Sequence, residues 1–147
     1  MTRTRLYISF DREHDSDLRN LLEAQSRRPG SSFMVAGASS SETTQHSRGH
    51  DARPEIRAAD EVVVICGEHT HESIGVAAEL AITQEEDKPY MLLWGRRDLM
   101  CMKPDGARAG DAMYSWSREI FENQIGMTIR NSKPITVPDN CKRFQST

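Results

Sequence analysis

Three short apolar runs constrain the fold of this chain more than any other feature of its sequence: Arg5–Phe10, Val62–Cys66 and Pro89–Trp94. Most of their positions are aliphatic or aromatic, whereas a strand with one face in water alternates apolar and polar residues. Continuous runs are typical of strands covered by helices on both faces of a parallel sheet. Phe33–Ala36 is a weaker candidate for another strand, and Ile135–Val137 is a candidate for an edge strand.

Helical patterns alternate with these runs. The predicted helices extend from about Asp15 to Arg28, from Asp51 to Ala59, from Ile74 to Glu86 and from Ser115 to Ile125. Asp15 or Ser16 can cap the first helix and Ser73 the third, because a side-chain oxygen there accepts a backbone N–H of the first turn. The alternation predicts an α/β fold with a doubly wound, mostly parallel sheet of four to five strands in flavodoxin-like order.

Length and charge exclude several classes of protein. With 147 residues, we expect a single domain over residues 1–147, with a core at about 5–125 and a C-terminal extension at 126–147. No apolar stretch approaches the ~18 residues of a membrane span, and Met1–Phe10 has no signal-peptide core. The formal net charge of −3 gives no basic footprint for nucleic acid. We therefore expect a cytoplasmic protein that binds neither membranes nor nucleic acid.

The cysteines do not indicate a metal cage or a disulfide framework. Cys66, Cys101 and Cys141 are an odd number and have no CxxC spacing. Cys66 ends the most apolar run, so we expect it to pack as a small buried side chain rather than to act as a nucleophile.

Polar residues that can form one pocket follow the predicted strands. In an open parallel sheet, ligands bind beyond the carboxyl ends of the strands. That rule selects Phe10–His14, Gly37–Gly49, Gly67–Ser73 and the residues from Gly95 onward.

The segment after the third predicted strand contains the sequence Glu-His-Thr-His-Glu at residues 68–72. Two histidines flanked by glutamates can bind a metal, but a third ligand at a definite spacing is missing from the sequence, so we expect no metal here. We expect His69 and Thr70 to shape the pocket instead.

Several short motifs occur along the chain in a fixed order. They are Tyr7–Asp11 followed by Asp15 and Leu18, then Ala59-Asp60 and Val62–Ile65, Gly67–His71, Gly75-Val76, Glu79, Lys88-Pro89 and Met113–Trp116. Together they resemble the TIR-like family over roughly Arg5 to Ile125. That family has a flavodoxin-like fold related to Toll/interleukin-1 receptor domains. Its relatives in the Thoeris antiphage system convert NAD into a cyclic ADP-ribose-type messenger.

The resemblance implies a function and a set of site residues. It implies an NAD glycohydrolase or ADP-ribosyl cyclase, with NAD as substrate and no further cofactor, which signals to a separate effector protein in bacterial antiphage immunity. It implies that Glu79, on the helix after the third strand, is the catalytic carboxylate. Phe10 and Asp11 would line the ribose or nicotinamide pocket, and Ser39 would lie in the loop Ser39–Glu42 after the second strand. A homo-oligomer is implied too, because TIR-type sites are commonly completed by a neighbouring subunit.

Helical spacing alone predicts a surface position for Glu79 rather than a catalytic one. At ~100° per residue, Glu79 lies away from an apolar face formed by Ile74, Ala77, Ala78 and Ala81. A glutamate in that position is ordinarily a solvated surface residue.

Two other functions are compatible with the same topology. A non-catalytic TIR-like module would sense a nucleotide or bind a partner protein. A phospho-receiver domain would need a phosphorylatable aspartate at the end of the third strand. This chain has Cys66-Gly67-Glu68 there, which argues against a receiver.

Overall fold

The computed structural model describes residues 3–39, 52–117 and 119–125. Five strands form one sheet: β1 (Thr4–Ser9), β2 (Phe33–Ala38), β3 (Glu61–Cys66), β4 (Tyr90–Trp94) and β5 (Met113–Ser115). Their spatial order is β2-β1-β3-β4-β5, and all four pairings are parallel. This is a doubly wound, flavodoxin-like α/β fold, as the alternation of strands and helices predicted.

Helices lie between the strands along the chain: α1 (Ser16–Ser26), α2 (Arg53–Ala58) and α3 (Ile74–Glu85). A single 3-10 turn, Thr70–Glu72, precedes α3, and residues 119–125 are helical. Both faces of the sheet are covered, because the alternating side chains of the strands belong to two separate core clusters. On one face, Leu6 and Ile8 of β1 pack with Leu18 and Leu22 of α1.

On the other face, Tyr7 of β1 packs with Ile56 of α2 and Val76 of α3. The central strand β3 supplies both clusters, and all of its side chains are buried. Val63 and Ile65 face the first cluster, and Val62 and Val64 face the second. Burial on both faces explains why the β3 sequence is continuously aliphatic.

The chain after β4 differs from the sequence-based expectation. Met113–Ser115 pairs with Leu92–Trp94 as an edge strand, whereas a helix was predicted to begin at Ser115. Helical residues are found at 119–125, so the predicted helix is confirmed over these residues and its predicted start at Ser115 is wrong. The edge strand predicted at Ile135–Val137 lies outside the described residues, as does the C-terminal extension 126–147.

Among the described residues, none of the helices has the length and apolar composition needed to cross a membrane.

Candidate functional site

The carboxyl group of Glu79 is buried between α3 and the sheet. The residue is 2% exposed. Its Oε2 accepts a hydrogen bond from the Tyr7 hydroxyl at 2.9 Å, and its Oε1 accepts hydrogen bonds from Ser9 Oγ and Ser39 Oγ, both at 2.6 Å. We call these four residues the Glu79 cluster. A carboxyl group with three hydroxyl donors is well satisfied in a buried position.

Strand geometry brings the three hydroxyl groups together. Tyr7 and Ser9 are two residues apart on β1, so their side chains leave the sheet on the same face, towards α3. Ser39 follows the last residue of β2, and its backbone N–H donates to Ile8 O at 2.9 Å. Its Oγ also accepts the backbone N–H of Phe10 at 3.1 Å. The cluster therefore lies at the carboxyl ends of β1 and β2, the edge where ligands bind in folds of this type.

Burial governs the proton affinity of this cluster. Desolvation raises the pKa of Glu79, and the hydrogen bonds from Ser39, Ser9 and Tyr7 partly oppose that rise by stabilising the ionised form. The nearby carboxylate of Glu55 raises it further. Burial and the adjacent Glu79 also raise the pKa of Tyr7, so its hydroxyl keeps its proton and remains a donor.

The spacing-based interpretation of Glu79 as a surface residue is wrong. The buried side of α3 consists of Val76, Glu79, Leu80 and Thr83, whereas Ile74, placed on the expected apolar face, is 80% exposed. Ala78 and Ala81 are exposed as well. The helix is apolar around most of its circumference, so its own sequence does not define one buried face. The hydroxyl groups of Tyr7 and Ser9 on β1 donate hydrogen bonds to Glu79, so the side of α3 that carries Glu79 packs on the sheet.

The predicted site residues Ser39 and Glu79 are in direct contact, and Phe10 reaches them only through its backbone. The Phe10 side chain is 3% exposed and packs with Leu18 and Leu22. The guanidinium of Arg19 lies 5.8 Å from its ring centroid. Of the predicted loop Ser39–Glu42, only Ser39 lies within the described residues.

Asp11, His69 and Thr70 belong to a second group at the same edge of the sheet. His14 Nδ1 hydrogen bonds to Asp11 Oδ2 at 2.7 Å, and the His14 ring stacks on His69 with the centroids 4.1 Å apart. The hydrogen bond that the protonated His14 ring donates to Asp11 raises the pKa of His14. Thr70 is fully buried, and its Oγ1 accepts the Gly67 N–H at 2.7 Å. Thr70 therefore fixes the loop after β3.

Sequence reasoning missed three residues that the geometry brings to these groups: Tyr7, Ser9 and His14. Tyr7 and Ser9 had one signal, since polar groups two residues apart within an otherwise apolar strand share one face. His14 lies in the segment Phe10–His14 that the strand-end rule selected, but no local pattern indicates its contact with His69, which follows a different strand.

The prediction about Cys66 can be compared with the structure. Cys66 is fully buried, as expected, and burial raises the pKa of its thiol to about 12, which keeps it protonated and unreactive at neutral pH. Within the described residues, no cluster of three or more histidine, cysteine, aspartate or glutamate side chains has the arrangement of a metal site.

Comparison of the chain with known protein families gives no match, and comparison with curated proteins gives none either.

Proposed function

We propose that the protein is a TIR-like NAD-consuming enzyme and that Glu79 is its catalytic carboxylate. The observation that carries the proposal is the buried Glu79 carboxyl group, which accepts three hydroxyl hydrogen bonds at the carboxyl ends of β1 and β2. The motif order described above supplies the substrate class, NAD.

The hydroxyl groups around Glu79 suggest how a ribose would bind. Ser9 and Ser39 both donate to Oε1, at 2.6 Å each, in the way that two hydroxyls of a sugar ring can bond one carboxylate. Ser39 is the partly exposed member of the pair, whereas Ser9 is fully buried. In this proposal a ribose hydroxyl replaces the Ser39 hydroxyl at Glu79, and the carboxylate exchanges one hydroxyl donor for another.

The chemistry requires one ionised carboxylate near the sugar. The bond between the anomeric carbon and the pyridinium nitrogen breaks, and its electron pair leaves with neutral nicotinamide. Positive charge then develops on the ribose, as in other glycoside cleavage. Glu79 in its low-dielectric position would stabilise that charge. Water at the anomeric carbon gives ADP-ribose, and a nucleophile from the same substrate molecule gives a cyclic product.

The test is nicotinamide release from NAD, measured by chromatography over a wide range of protein concentrations. We expect release by the natural protein and a rate at least about 100-fold lower in Glu79→Gln, which keeps the shape but not the charge. Glu61→Gln is the matched control, since Glu61 is also a buried glutamate but lies outside the Glu79 cluster. Equal rates in Glu79→Gln and the natural protein would refute the assignment, as would no release at any concentration.

We further propose, on the resemblance, that the product acts as a signal for a separate effector protein in the cytoplasm during antiphage defence. A homo-oligomer would be the active form. Dependence of the specific activity on protein concentration would support that oligomer.

A non-catalytic nucleotide-sensing module is the second candidate, and the completeness of the Glu79 hydrogen bonds favours it. A carboxyl group that is 2% exposed and already has three donors can serve the fold alone. Calorimetry that detects binding of NAD or ADP-ribose without turnover would favour the sensor over the enzyme.

A further inference from the structure

We propose that a groove between α1 and the carboxyl ends of β4 and β5 binds a small ligand consisting of a flat aromatic ring and an anionic group. The groove has a volume of about 540 Å³, which is in the range of small-molecule sites. The residues that define its character are Leu18, Leu21, Arg28, Trp94, Arg97 and Trp116. It shares no residue with the Glu79 cluster, which lies on the other face of the sheet.

The walls of the groove can stack against a ring. Trp94 donates its indole N–H to Arg96 O at 2.8 Å, and Trp116 donates its own to Gln25 Oε1 at 3.2 Å. The N–H groups of both indoles are therefore already bonded. The Trp116 ring packs against the same core cluster as Leu18, whereas Trp94 packs against the cluster on the opposite face of the sheet, so Trp116 supplies the apolar aromatic wall of the groove. Leu21 adds to this surface, because it is 59% exposed although it is a large aliphatic side chain. Aromatic faces of this kind favour stacking with a flat ring.

The charges at the groove favour an anion. Arg28 and Arg97 are exposed, and neither guanidinium forms an ion pair or a side-chain hydrogen bond within the residues that the structure describes. Their neighbour Arg96, in contrast, bonds Asp15 and Asp17. A guanidinium offers two parallel N–H donors to a phosphate or carboxylate. Two available cations beside an apolar wall thus complement an aromatic anion better than a neutral ligand.

The base of the groove is closely packed at Gly95. A Cβ added at Gly95 would lie 2.7 Å from Leu18 Cδ1 and 2.9 Å from the backbone oxygen of Cys66. Helix α1 and the end of β4 are thus in close contact, and the groove does not require a rearrangement to form. Its place beyond the carboxyl ends of β4 and β5 is where parallel sheets bind ligands.

The natural tryptophans make the test direct, because the chain contains only two and both line the groove. We would titrate the full-length protein with AMP and with phenyl phosphate, excite at the red edge of tryptophan absorption, and repeat with the uncharged partners adenosine and phenol. We expect saturable fluorescence changes with both phosphates, affinities roughly fivefold or more lower for the uncharged partners, and no change with inorganic phosphate alone.

Charge variants test the role of the two arginines. Arg28→Gln and Arg97→Gln should each weaken binding of the phosphates roughly fivefold, the effect of one partly exposed charge contact. Arg12→Gln is the control, since Arg12 is an exposed arginine outside the groove. Glu79→Gln should bind AMP and phenyl phosphate as the natural protein does, even if it loses NAD turnover. The ligand proposal and the proposed NAD cleavage can therefore fail independently of each other.

Three results would overturn the ligand proposal. The first is equal binding of charged and uncharged partners, and the second is an Arg97→Gln variant indistinguishable from Arg12→Gln. The third is a fluorescence change that follows protein concentration and sedimentation rather than ligand, which would identify the groove as a contact between copies of the chain.

Discussion

At the scale of single residues, two buried glutamates differ in what surrounds their carboxyl groups. Glu79 accepts three hydroxyl hydrogen bonds, whereas neither oxygen of Glu61 has a partner among the described residues. Burial alone raises the pKa of Glu61 to about 9. An unpaired charge in the protein interior is unfavourable, so Glu61 is a neutral acid at pH 7.

The neutral state of Glu61 makes the stability of the protein depend on pH. In the unfolded chain this carboxyl ionises near its ordinary pKa of 4.5, whereas in the folded protein it holds its proton up to about 9. The folded state therefore binds more protons across that window, and the free energy of unfolding falls as pH rises, by up to about 1.4 kcal/mol per pH unit.

Glu61→Gln removes this titration and should make unfolding less sensitive to pH between about 5 and 9. Relative to that of the natural protein, the free energy of unfolding of the variant increases as pH rises through that window. Urea denaturation at a series of pH values measures the effect. Parallel pH curves for the two proteins would show that Glu61 does not titrate in this way.

Tyr7 contributes to stability and to the proton affinity of Glu79. Tyr7→Phe removes the 2.9 Å donor to Oε2 and leaves a buried oxygen with one hydrogen bond fewer, which should cost about 1.5–3 kcal/mol. If NAD cleavage needs ionised Glu79, the rate rises with pH as the carboxyl loses its proton. Its raised pKa places that rise above the ordinary glutamate range. Tyr7→Phe should move the rise to still higher pH, because a hydrogen bond to the charged form is lost.

Tyr114→Phe is the matched control, since no hydrogen bond of the Tyr114 hydroxyl occurs within the described part of the chain. It should leave both the urea midpoint and the pH–rate profile close to those of the natural protein. If the rate of NAD cleavage by Tyr7→Phe rises at the same pH as that of the natural protein, Tyr7 does not influence the ionisation of Glu79.

At the scale of the elements, the sequence predicts a strand well where burial on both faces demands continuous apolar residues. Val62–Cys66 was predicted and β3 occupies Glu61–Cys66. β5 was not predictable in this way, because it has only three residues and exists through its pairing with β4. Short edge strands depend on a neighbour far along the chain, and periodicity within a local window contains no information about that neighbour.

The candidate site was predictable in place but not in detail. The rule for parallel sheets selected the strand ends where Ser39 and Asp11 lie. The motif resemblance selected Glu79. The orientation of Glu79 was beyond prediction, because its partners Tyr7 and Ser9 are on β1, at least 70 residues away in sequence. An alanine-rich helix such as α3 fits several orientations until the sheet beneath it is known.

Helix caps give a prediction at the same scale. Ser73 Oγ accepts the Val76 N–H at 3.2 Å at the start of α3, whereas Asp15 precedes α1 and forms no side-chain cap. Ser73→Ala should therefore lower the free energy of unfolding by about 1 kcal/mol. Ser16→Ala, which removes a hydrogen bond to Arg12 O at the exposed start of α1, should change it by less than about 0.5 kcal/mol. Thermal or urea unfolding measures both, and equal losses would contradict the capping role.

At the scale of the whole molecule, Arg96 joins the segment after β4 to the start of α1, about 80 residues earlier. Its Nη2 lies 3.1 Å from Asp15 Oδ1 and 2.9 Å from Asp17 Oδ1, and it also donates to His14 O at 2.9 Å. Asp15 is 1% exposed. Burial raises the pKa of Asp15, and Arg96 opposes that rise by stabilising the ionised carboxylate. One guanidinium thus compensates a buried charge and holds two distant parts of the fold together.

Arg96→Gln should destabilise the protein by about 3 kcal/mol or more at neutral pH, because it leaves the buried Asp15 carboxylate without its cation.

The loss of stability in Arg96→Gln should depend on pH. Without Arg96 the pKa of Asp15 rises further, and the lowered pKa of Asp17, which owes most to its hydrogen bond with Arg96, returns towards the ordinary value. Both changes penalise the ionised forms. The Asp15 part of the deficit is complete only above the further raised pKa of Asp15 and shrinks as pH falls through it, whereas the Asp17 part is complete above the ordinary aspartate pKa of about 4 and shrinks below it. Arg5→Gln is the control, since the Arg5–Asp60 pair is exposed and should contribute at most about 1 kcal/mol. Urea unfolding of both variants at neutral and acidic pH measures these losses. A loss of unfolding free energy in Arg96→Gln that is small or independent of pH would show that the fold does not depend on the ion pairs of Arg96.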